Sequence, residues 1–346
     1  MPVAQPPVIA SDNVRQLFSE IAKSITCSLE ITKIINTVMQ QVDRFFQPRY
    51  SSLFRLDPET HELYFMVAKG INLDDVKTVR LKLGEGVVGY VAQTRKSLII
   101  EDAQNDARFS FKVDKLSQVK TKSLIAVPIV FQNRTLGVIE LINTLEERGF
   151  SQSELALLET IADFAAIAMT NAMAYERILW YSQHDPLTGL FNRSHLDQLT
   201  TEYRNLDKAA LKETDHSYAI AILIDVDKFK EVNDSRGHQI GDQILIKMAQ
   251  ILNAVCRKND FAYRIGGDEF LITILDLDKN EVSAIMTRLQ KSLKLSSKQI
   301  APAQGFSFGM ASGLKNDLRR LIKKADDQMY IYKGIRRKNR VSSETS

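Results

Sequence analysis

The segment FAYRIGGDEFLITIL, residues 261–275, strongly constrains the fold of the second half of the chain. Two glycines and two acidic residues stand between runs rich in β-branched and aromatic residues, and such runs predict strands. Paired glycines between two strands predict a tight turn. We therefore expect a β-hairpin whose tip carries Asp268 and Glu269.

The length of 346 residues allows two domains, each with its own core. A hydrophobic content of 44% and a charged content of 25% are usual for soluble globular proteins. The apolar runs fall short of the roughly 20 residues that a membrane span needs. Residues 1–13 lack the basic start and apolar block of an export signal. The sequence thus predicts a cytoplasmic protein without membrane association.

Charge and cysteine content argue against several classes of site. The net charge of +4 is modest, and most of the basic excess lies between residues 315 and 340. DNA-binding proteins usually have a stronger basic stripe and a groove-reading motif, so we expect no nucleic-acid partner and interpret this segment as a phosphate site. Cys27 and Cys256 lie far apart in apolar segments, which argues against a disulfide framework and against thiolate metal sites.

The first half of the chain has the pattern of an α+β domain. Apolar residues recur at helical spacing from Asn13 to about Arg44 and predict one or two helices. Strand-like runs follow at 51–56, 62–68, 79–83, 97–102, 123–131 and 135–143. The polar residues 132–134 predict a hairpin turn. This order of elements predicts one mostly antiparallel sheet flanked by helices.

A long helix is predicted to join the two halves, over residues 151–184. Ser151 and Glu154 form a capping-box pattern that predicts its start. Apolar residues then recur at alternating steps of three and four, at Leu158, Ile161, Ala165, Ala168, Ala172, Tyr175 and Leu179. Such spacing is typical of a coiled-coil seam. We expect the first half of the helix to pack on its own domain and the second half to act as a dimerising connector.

The second half alternates strands and helices. The apolar run 218–230 predicts a strand, and the pattern then predicts a helix from roughly Gly241 to Cys256. The hairpin follows, then a helix around 280–294, a strand near FSFGMAS and a final helix through LRRLIKKADDQMYIYK. This alternation favours an α/β domain, with helices on the faces of a sheet.

Acidic residues cluster at the expected ends of two strands in this half. The apolar strand that begins at residue 218 is expected to end in Asp225 and Asp227, and the hairpin tip carries Asp268 and Glu269. Magnesium prefers such hard oxygen ligands and usually bridges them to substrate phosphates. The sequence alone leaves two interpretations open, a magnesium site and a pair of solvated loops.

The segment from about Asp185 to the end resembles the GGDEF diguanylate cyclases. The matching positions are Asp185-Pro186-Leu187-Thr188-Gly189-Leu190, Asn192-Arg193, Asp225, Asp227, Phe229-Lys230, Asn233-Asp234, Gly237-His238, Gly241-Asp242, Gly266 to Phe270, Ala325-Asp326, Tyr330 and Lys333. This ordered set is far more specific than the five-residue signature alone. The resemblance implies a domain over residues 185–342.

The resemblance implies condensation of two GTP molecules into cyclic di-GMP, with release of pyrophosphate. Two such domains must meet face to face, so a homodimer is expected. The positions that match the family's Mg²⁺ or Mn²⁺ ligands are Asp225, Val226 through its carbonyl, Asp268 and Glu269. Either Asp268 or Glu269 is expected to remove the proton of the attacking ribose hydroxyl.

Other matching positions imply contacts with the nucleotide. Gly266 and Gly267 would let the backbone approach it closely, because glycine has no Cβ. The remaining substrate positions are Phe229, Lys230, Asn233, Asp242, Lys333 and Arg337. Of these, Asn233 and Asp242 would read guanine, and Lys333 with Arg337 would bind the β- and γ-phosphates.

Two details of this resemblance leave alternatives open. The family usually reads Lys-x-x-Gly-Arg-Asn after the last helix, whereas this chain has no glycine there, so Lys338 is an alternative to Arg337. Arg257 and Asp260 match the product-inhibition motif RxxD upstream of the hairpin, but such a pair is often only a solvated pair of charges.

A glycine-rich loop in the first half has two interpretations. Residues 84–89 read G-x-G-x-x-G, the fingerprint of a dinucleotide site, but the helix VVGYVAQTR is too short for a parallel crossover. Residues 13–176 instead resemble a GAF domain in the pieces LGEGVVGYVAQTRKSLIIEDAQNDARF, SLIAVPI, GVIELIN and FSQSELALLETIADFAAIA.

The GAF resemblance implies a small ligand bound between the sheet and residues 101–122. The candidate pocket residues are Asp106, Arg108, Phe109, Thr121 and Ser123. A partial match around Asn143 and Phe150 to cyclic-nucleotide-binding members makes cyclic AMP or cyclic GMP a candidate ligand. Cys27 lies away from the expected place of bilin attachment, which argues against a photosensor.

Two functions follow from these resemblances. The first is a diguanylate cyclase regulated by a ligand of the GAF domain. The alternative is a receptor without catalytic activity that binds cyclic di-GMP through Arg257 and Asp260.

Overall fold

The computed structural model describes residues 15, 19–20, 30–205, 217–257, 259–296 and 305–344, without the side chains of Ser296, Tyr332 and residues 334–344. The chain divides into two compact units, Met1–Arg177 and Ile178–Ser346. Cys27 and most of the predicted helix before Glu30 lie outside the described residues.

The first unit contains a six-stranded antiparallel sheet with strand order β3-β2-β1-β6-β5-β4. Its strands are β1 (Pro48–Leu56), β2 (Glu62–Lys69), β3 (Arg80–Lys82), β4 (Leu98–Ile100), β5 (Leu124–Phe131) and β6 (Arg134–Thr144). Its helices are α1 (Ile31–Phe46), α2 (Leu73–Val76), α3 (Gly86–Thr94), α4 (Phe111–Ser117) and α5 (Gln152–Gln183), with a 3₁₀ turn at Ala103–Asn105. The predicted α+β class is confirmed.

The sheet of the first unit buries both of its faces. Side chains alternate along a strand, so Ile139 and Leu141 of β6 pack with α1 and α5, whereas Val138 and Ile142 face the other way. The second face is covered by α3 and by apolar residues of the segment between β4 and β5, such as Val119. A small ligand of this domain would have to lie on that second face if it binds where the resemblance implies.

Two local predictions for the first unit can be compared with the structure. The turn between β5 and β6 is formed by Gln132 and Asn133, with left-handed φ values of 46° and 63°, as in tight hairpins.

The glycine-rich loop at residues 84–89 lies between β3 and β4, and these two strands lie at opposite edges of the sheet. They are therefore not the neighbouring parallel strands that a dinucleotide-binding unit requires, and the structure agrees with the rejection of that site.

Helix α5 begins with the predicted capping box. The backbone N–H of Ser151 donates to Glu154 Oε2 at 2.8 Å, and the backbone N–H of Glu154 donates to Ser151 Oγ at 3.2 Å. The first half of the predicted seam, up to Ala172, is buried in the first unit. Tyr175 and Leu179 are 39% and 42% exposed.

Among the described residues, α5 is the one helix that is long and apolar enough to cross a membrane. Half of its most apolar window is buried within the protein, as in the core helix of a soluble domain. Packing in the core of the first unit therefore explains part of the apolar character of α5.

The second unit has a sheet whose described strands are all antiparallel, in the order β10-β7-β9-β8. The strands are β7 (Tyr218–Val226), β8 (Phe261–Arg264), β9 (Glu269–Leu277) and β10 (Phe306–Leu314). The helices are α6 (Arg193–Arg204), α7 (Phe229–Arg236), α8 (His238–Val255), α9 (Lys279–Ser296) and α10 (Leu318–Glu344), with a 3₁₀ turn at Lys315–Asp317. Apolar cores lie on both faces, so the predicted class of a sheet covered by helices is confirmed.

The region after β7 differs in detail from the prediction. The strand ends at Val226, between the two acids predicted at its end, and Lys228, with a left-handed φ of 57°, caps the start of α7. Sequence periodicity did not predict α7, whose eight residues are too few for a clear pattern. Gly237, with a φ of 83°, separates α7 from α8, which begins at His238 rather than at Gly241.

Candidate active site

The end of β7 and the tip of the β8–β9 hairpin meet in the second unit. Asp225 pairs directly across the sheet with Glu269. The backbone N–H of Val226 donates to the carbonyl oxygen of Asp268 at 3.2 Å, which attaches the hairpin tip to β7. The structure therefore brings together all four residues at the predicted metal positions.

Two of these carboxyl groups have raised pKa values. Burial is the main cause for Asp225, the charges of Asp268 and Asp227 add to it, and the ammonium group of Lys333 opposes it. Burial is also the main cause for Glu269, with contributions from Asp225 and Asp268. The cluster is therefore an environment in which additional positive charge would be stabilised.

Lys333 supplies positive charge to this cluster. Its Nζ lies 2.5 Å from Asp225 Oδ1, and the two side chains are 33% and 14% exposed. The predicted phosphate-binding lysine thus forms an ion pair with a predicted metal ligand. Its predicted companion, Arg337, lies on α10 with a side chain outside the described residues, as does that of Lys338.

A divalent cation fits the chemistry of this cluster. Asp225, Asp268 and Glu269 supply hard oxygen donors, and Asp225 already binds a cationic group. The carboxylates do not form a complete cation cage, since no three His, Cys, Asp or Glu side chains in the described part of the chain converge closely enough to hold a metal ion. Metal binding would therefore require their side chains to rearrange and Asp225 to exchange its partner.

The two glycines of the hairpin tip differ in their surroundings. A Cβ added to Gly266 would lie 2.8 Å from Glu269 Oε2, so a larger residue would disturb this acidic side chain. A Cβ added to Gly267 would meet no atom within 4 Å. The protein itself therefore leaves open space beside Gly267, and that space could accommodate a substrate.

Arg264 fixes the position of the hairpin tip. Its Nη2 and Nε donate to the carbonyl oxygen of Gly267 at 2.8 and 3.1 Å, and its Nη1 donates to the carboxylate of Asp185 at 3.0 Å. Burial favours a higher pKa for Asp185, but hydrogen bonds from Thr188 and Arg264 outweigh burial and the pKa lies below its usual range. The arginine therefore bridges a carboxylate and the glycine turn.

Sequence reasoning missed the role of Arg264 and Asp185. Asp185 was part of the DPLTGL match, and Arg264 directly precedes the hairpin turn, but neither pattern predicts that their side chains meet across 79 positions. The isolated acid and the arginine before a glycine turn were the available signals. The pairing itself depends on how the segment 185–191 packs beside β8.

Helices α7 and α8 bring the predicted guanine-binding residues close together. Asn233 Oδ1 is buried and has no hydrogen-bond partner in the described structure. A Cβ added to Gly241 would overlap this oxygen and would lie 3.2 Å from the ring of Phe229. Asp242 follows on α8 with an exposed side chain. An unpaired buried oxygen of this kind is costly unless a ligand donates to it.

The remaining predicted substrate residue, Lys230, is exposed on α7. Phe229 is partly buried and packs against the core of the second unit. Among the described residues, neither side chain forms a hydrogen bond or an ion pair with the acidic cluster.

Arg257 and Asp260 lie in the turn after α8. The backbone N–H of Arg257 donates to Asp260 Oδ2 at 2.8 Å, while the Arg257 side chain is exposed. Both residues line a cleft of about 340 Å³ together with Gly189, Leu190, Phe191, Asn253, Cys256 and Ala262. Burial raises the pKa of the Cys256 thiol to about 12, so this cysteine is not a reactive thiolate at neutral pH.

Two of the predicted pocket residues of the first unit, Asp106 and Arg108, bind each other. Arg108 donates to both carboxylate oxygens of Asp106, from Nε at 2.9 Å and from Nη2 at 2.6 Å. Phe109 packs beside the covered face of the sheet. Thr121 and Ser123 are buried, and Thr121 Oγ1 donates to Asp114 at 2.7 Å.

Both units match known families of domains. Residues 30–169 match the family described as GAF domain. Residues 182–339 match the family described as Diguanylate cyclase, GGDEF domain.

Curated relatives include proteins of known and of unknown function. YtrP of Bacillus subtilis, described as uncharacterized, is 26% identical over 92% of this chain and 51% of its own length. Diguanylate cyclase DosC of Escherichia coli is 35% identical over 45% of this chain and 34% of its own length. Diguanylate cyclase A of Treponema denticola is 23% identical over 82% of this chain and 74% of its own length. The chain spans about half the length of YtrP and about a third of the length of DosC.

Solved structures match each unit separately. The GAF domain of a phosphoenolpyruvate-protein phosphotransferase from Coxiella burnetii has a TM-score of 0.45 at 23% identity, over 49% of this chain and 99% of its own. The coiled coil and GGDEF domain of DgcB from Caulobacter crescentus, in complex with c-di-GMP, has a TM-score of 0.43 at 23% identity, over 51% of this chain and 94% of its own. On the two family matches, the chain carries a GAF domain followed by a GGDEF domain, in the order that its sequence predicts.

Proposed function

We propose that the protein is a diguanylate cyclase that condenses two GTP molecules into cyclic di-GMP and releases two pyrophosphates. The observation that carries this proposal is the junction of β7 and the hairpin tip, where Asp225 faces Glu269 and Val226 binds Asp268. The matching family supports the same reaction. If the acidic residues only lay on two solvated loops, nothing would require one strand end to pair with a glycine turn that carries the other acids.

Asp225, the Val226 carbonyl, Asp268 and Glu269 would hold Mg²⁺ or Mn²⁺. Bound there, the cations would neutralise the triphosphate and lower the barrier to attack on the α-phosphorus. The protein's own contribution is to fix the two strand ends. Asp268 or Glu269 would accept the proton of the ribose 3′-hydroxyl.

Guanine recognition would fall to α7 and α8. The unpaired Asn233 Oδ1 can accept a hydrogen bond from a base N–H, and the exposed Asp242 carboxylate can accept from the N1–H and N2 amine edge. Adenine presents an acceptor where guanine presents N1–H, so the carboxylate favours GTP over ATP. Phe229 and Lys230 would complete this side of the site from α7.

Lys333 would change partners during catalysis. In the structure it neutralises Asp225, and a cation bound to Asp225 would release the lysine toward the β- and γ-phosphates. Arg337 or Lys338 would add a second positive charge. The ion pair therefore keeps Asp225 compensated until substrate and metal arrive.

Two further elements would control this activity. Two GGDEF domains must face each other across two bound GTP molecules, so the active form would be a homodimer joined through α5.

Arg257 and Asp260 would bind cyclic di-GMP as a product inhibitor, since both residues line the same cleft beside α8. The guanidinium group would donate to guanine or phosphate, and the carboxylate would accept from a guanine edge.

The GAF domain would sense a small ligand and pass its effect through α5. A ligand changes the activity only by its differential affinity for the two arrangements of the cyclase domains. Cyclic AMP and cyclic GMP are candidates from the sequence. The contacts of Arg108 do not favour them, because Asp106 already neutralises the guanidinium that would meet a phosphate.

The alternative function is a receptor of cyclic di-GMP without catalytic activity. The cleft beside Arg257 and Asp260 favours cyclic di-GMP binding under either function. A receptor would not require the acidic cluster at the hairpin tip, and the cyclase therefore explains more of the structure.

Incubation of the purified chain with GTP and Mg²⁺ tests this proposal, with the product identified by mass spectrometry. We expect cyclic di-GMP, and we expect Asp268→Ala to lower its rate by at least about 100-fold, because the site loses a metal ligand. Glu202→Ala, on the exposed face of α6, is the matched control and should keep the activity. Retained activity in Asp268→Ala would refute the role of this acid.

A further inference from the structure

A buried carboxyl group lies in the middle of the GAF sheet. Glu140 is on β6, opposite Ser52 of β1 and Ala126 of β5, and only 8% of its surface is exposed. Alternation along β6 places its side chain on the same face as Val138 and Ile142, which is the face covered by α3 and the segment between β4 and β5. An acidic residue in this position interrupts a mostly apolar face.

Glu140 has no partner that would explain its burial. Its carboxyl group makes no hydrogen bond or ion pair with the described residues, and desolvation dominates its environment. Asp114 of α4 is the titratable group whose charge acts on it, and that charge is also negative. Buried polar groups are normally hydrogen-bonded, so a carboxyl group left in this state marks a candidate binding site.

The neighbours of Glu140 on the adjacent strands are small. Ser52 of β1 and Ala126 of β5 pair with it across the sheet, and both side chains are short. Asp114 is held in place by Thr121, whose N–H and Oγ1 donate to its two oxygens at 3.1 and 2.7 Å. The face therefore carries one unpartnered acid and a second acid with a fixed orientation.

We propose that Glu140 is the receptor for a protonated nitrogen of the small molecule that the GAF domain binds, so that this ligand is an organic cation with an ammonium or guanidinium group. Asp114 adds attraction for the same charge from the α4 side. A phosphate group would instead meet two acids, and the nearby Arg108 is already paired with Asp106. The inference rests on the proposed sensory role of the GAF domain and specifies the ligand class.

Binding of such a ligand carries a proton signature. The pKa of Glu140 is raised to about 8, so the group is mostly protonated at pH 7. A cation stabilises the ionised form, so binding at pH 7 should release close to one proton for each molecule bound. Affinity should rise as the pH approaches 8 and level off above it. A structural glutamate that does not contact the ligand would produce no such release.

The test uses the full chain without GTP, so its outcome does not depend on cyclase activity. Ethylammonium, putrescine and agmatine are the cationic probes, and cyclic AMP and cyclic GMP are the anionic ones. Isothermal titration calorimetry in buffers with different ionisation enthalpies measures affinity and proton release. We expect saturable binding of at least one cationic probe, with proton release at pH 7.

Two variants separate a direct contact from a structural effect. Glu140→Gln keeps the shape of the side chain and should weaken binding by roughly 30-fold or more, with loss of the proton release. Glu59→Gln, exposed between β1 and β2, is the control and should bind as the wild type does. The proposal is overturned if none of the three cations binds, if Glu140→Gln binds them with unchanged affinity, or if only the cyclic nucleotides bind.

Discussion

At the scale of single residues, the candidate active site depends on pairings that cross long stretches of sequence. Asp225 meets Glu269 through strand register, and Lys333 returns from the last helix to neutralise Asp225. Arg264 and Asp185 add a bridge that holds the glycine turn. The chemistry of the site is therefore set by a few side chains whose positions depend on the fold of the whole domain.

The Arg264 bridge predicts a defect in the geometry of the turn. Arg264→Met keeps much of the apolar stem but removes the donors to Gly267 and leaves Asp185 without its ion-pair partner. The side chains of Arg264 and Asp185 are mostly buried, so we expect the free energy of unfolding to fall by about 2 kcal/mol. The rate of cyclic di-GMP synthesis should fall by about 10-fold or more, because the hairpin tip loses its fixed position.

Chemical denaturation and steady-state kinetics measure these two effects. Arg236→Met, exposed at the end of α7, provides the control and should leave stability and the position of the turn unchanged. Wild-type kcat in Arg264→Met would show that the bridge does not position the hairpin tip.

Glu140 predicts a dependence of stability on pH. Its pKa is 4.5 when exposed and about 8 in the fold, so the folded state binds more protons between these values. The contribution of Glu140 to the free energy of unfolding should therefore be fully present below about pH 4.5. It should decrease as the pH rises to about 8. The shift corresponds to about 5 kcal/mol, an upper limit for the loss.

Differential scanning calorimetry from pH 5 to pH 9 tests this dependence. The transition of the GAF domain should move to lower temperature as the pH rises in the wild type, and Glu140→Gln should remove most of this change. Parallel pH dependences in the two proteins would contradict the raised pKa.

At the scale of helices and strands, the helix α5 divides into two parts with different surroundings. Residues up to Ala172 are buried in the first unit, whereas Tyr175, Ile178 and Leu179 are 39%, 65% and 42% exposed. Exposed apolar residues at helical spacing on a helix are typical of a surface that meets a partner helix. The proposed homodimer gives this surface an occupant, a second copy of the same helix.

This surface predicts a separation of folding from association. Leu179→Glu should weaken the dimer and lower cyclase activity, because a charge would be buried in the seam, while the stability of each domain should change little. Leu158→Ala should instead destabilise the GAF domain by about 2 to 5 kcal/mol, because it opens a cavity in a buried core.

Sedimentation equilibrium and calorimetry distinguish these outcomes, with Glu176→Ala on the same helix as the control. A Leu179→Glu protein that dimerises as the wild type does would rule out the exposed seam as the contact.

The sequence was sufficient to predict most strands and the hairpin, because alternation and the glycine turn are local signals. It did not predict α7, which is short and lies between a left-handed Lys228 and Gly237. Periodicity also could not identify Glu140 as unpartnered, since burial and the absence of a hydrogen bond depend on residues from three strands and α4. Long-range pairings such as Arg264 with Asp185 require the tertiary structure for the same reason.

At the scale of the whole molecule, the proposed function joins a sensory domain and a catalytic domain in one chain. The GAF domain contributes a face with a buried acid, and the GGDEF domain contributes an acidic cluster and the proposed guanine site. The proposed reaction needs two GGDEF domains for one product molecule. Signal and catalysis would therefore be coupled through the association of two chains.

The dependence of cyclic di-GMP synthesis on protein concentration tests this central claim most directly. With saturating GTP and Mg²⁺, we predict that activity per chain rises with protein concentration and reaches a plateau at the concentrations at which sedimentation detects the dimer. No cyclic di-GMP at any concentration, with or without the cationic probes, would contradict the cyclase. A constant activity per chain, at concentrations where the protein is monomeric, would contradict the requirement for two facing domains.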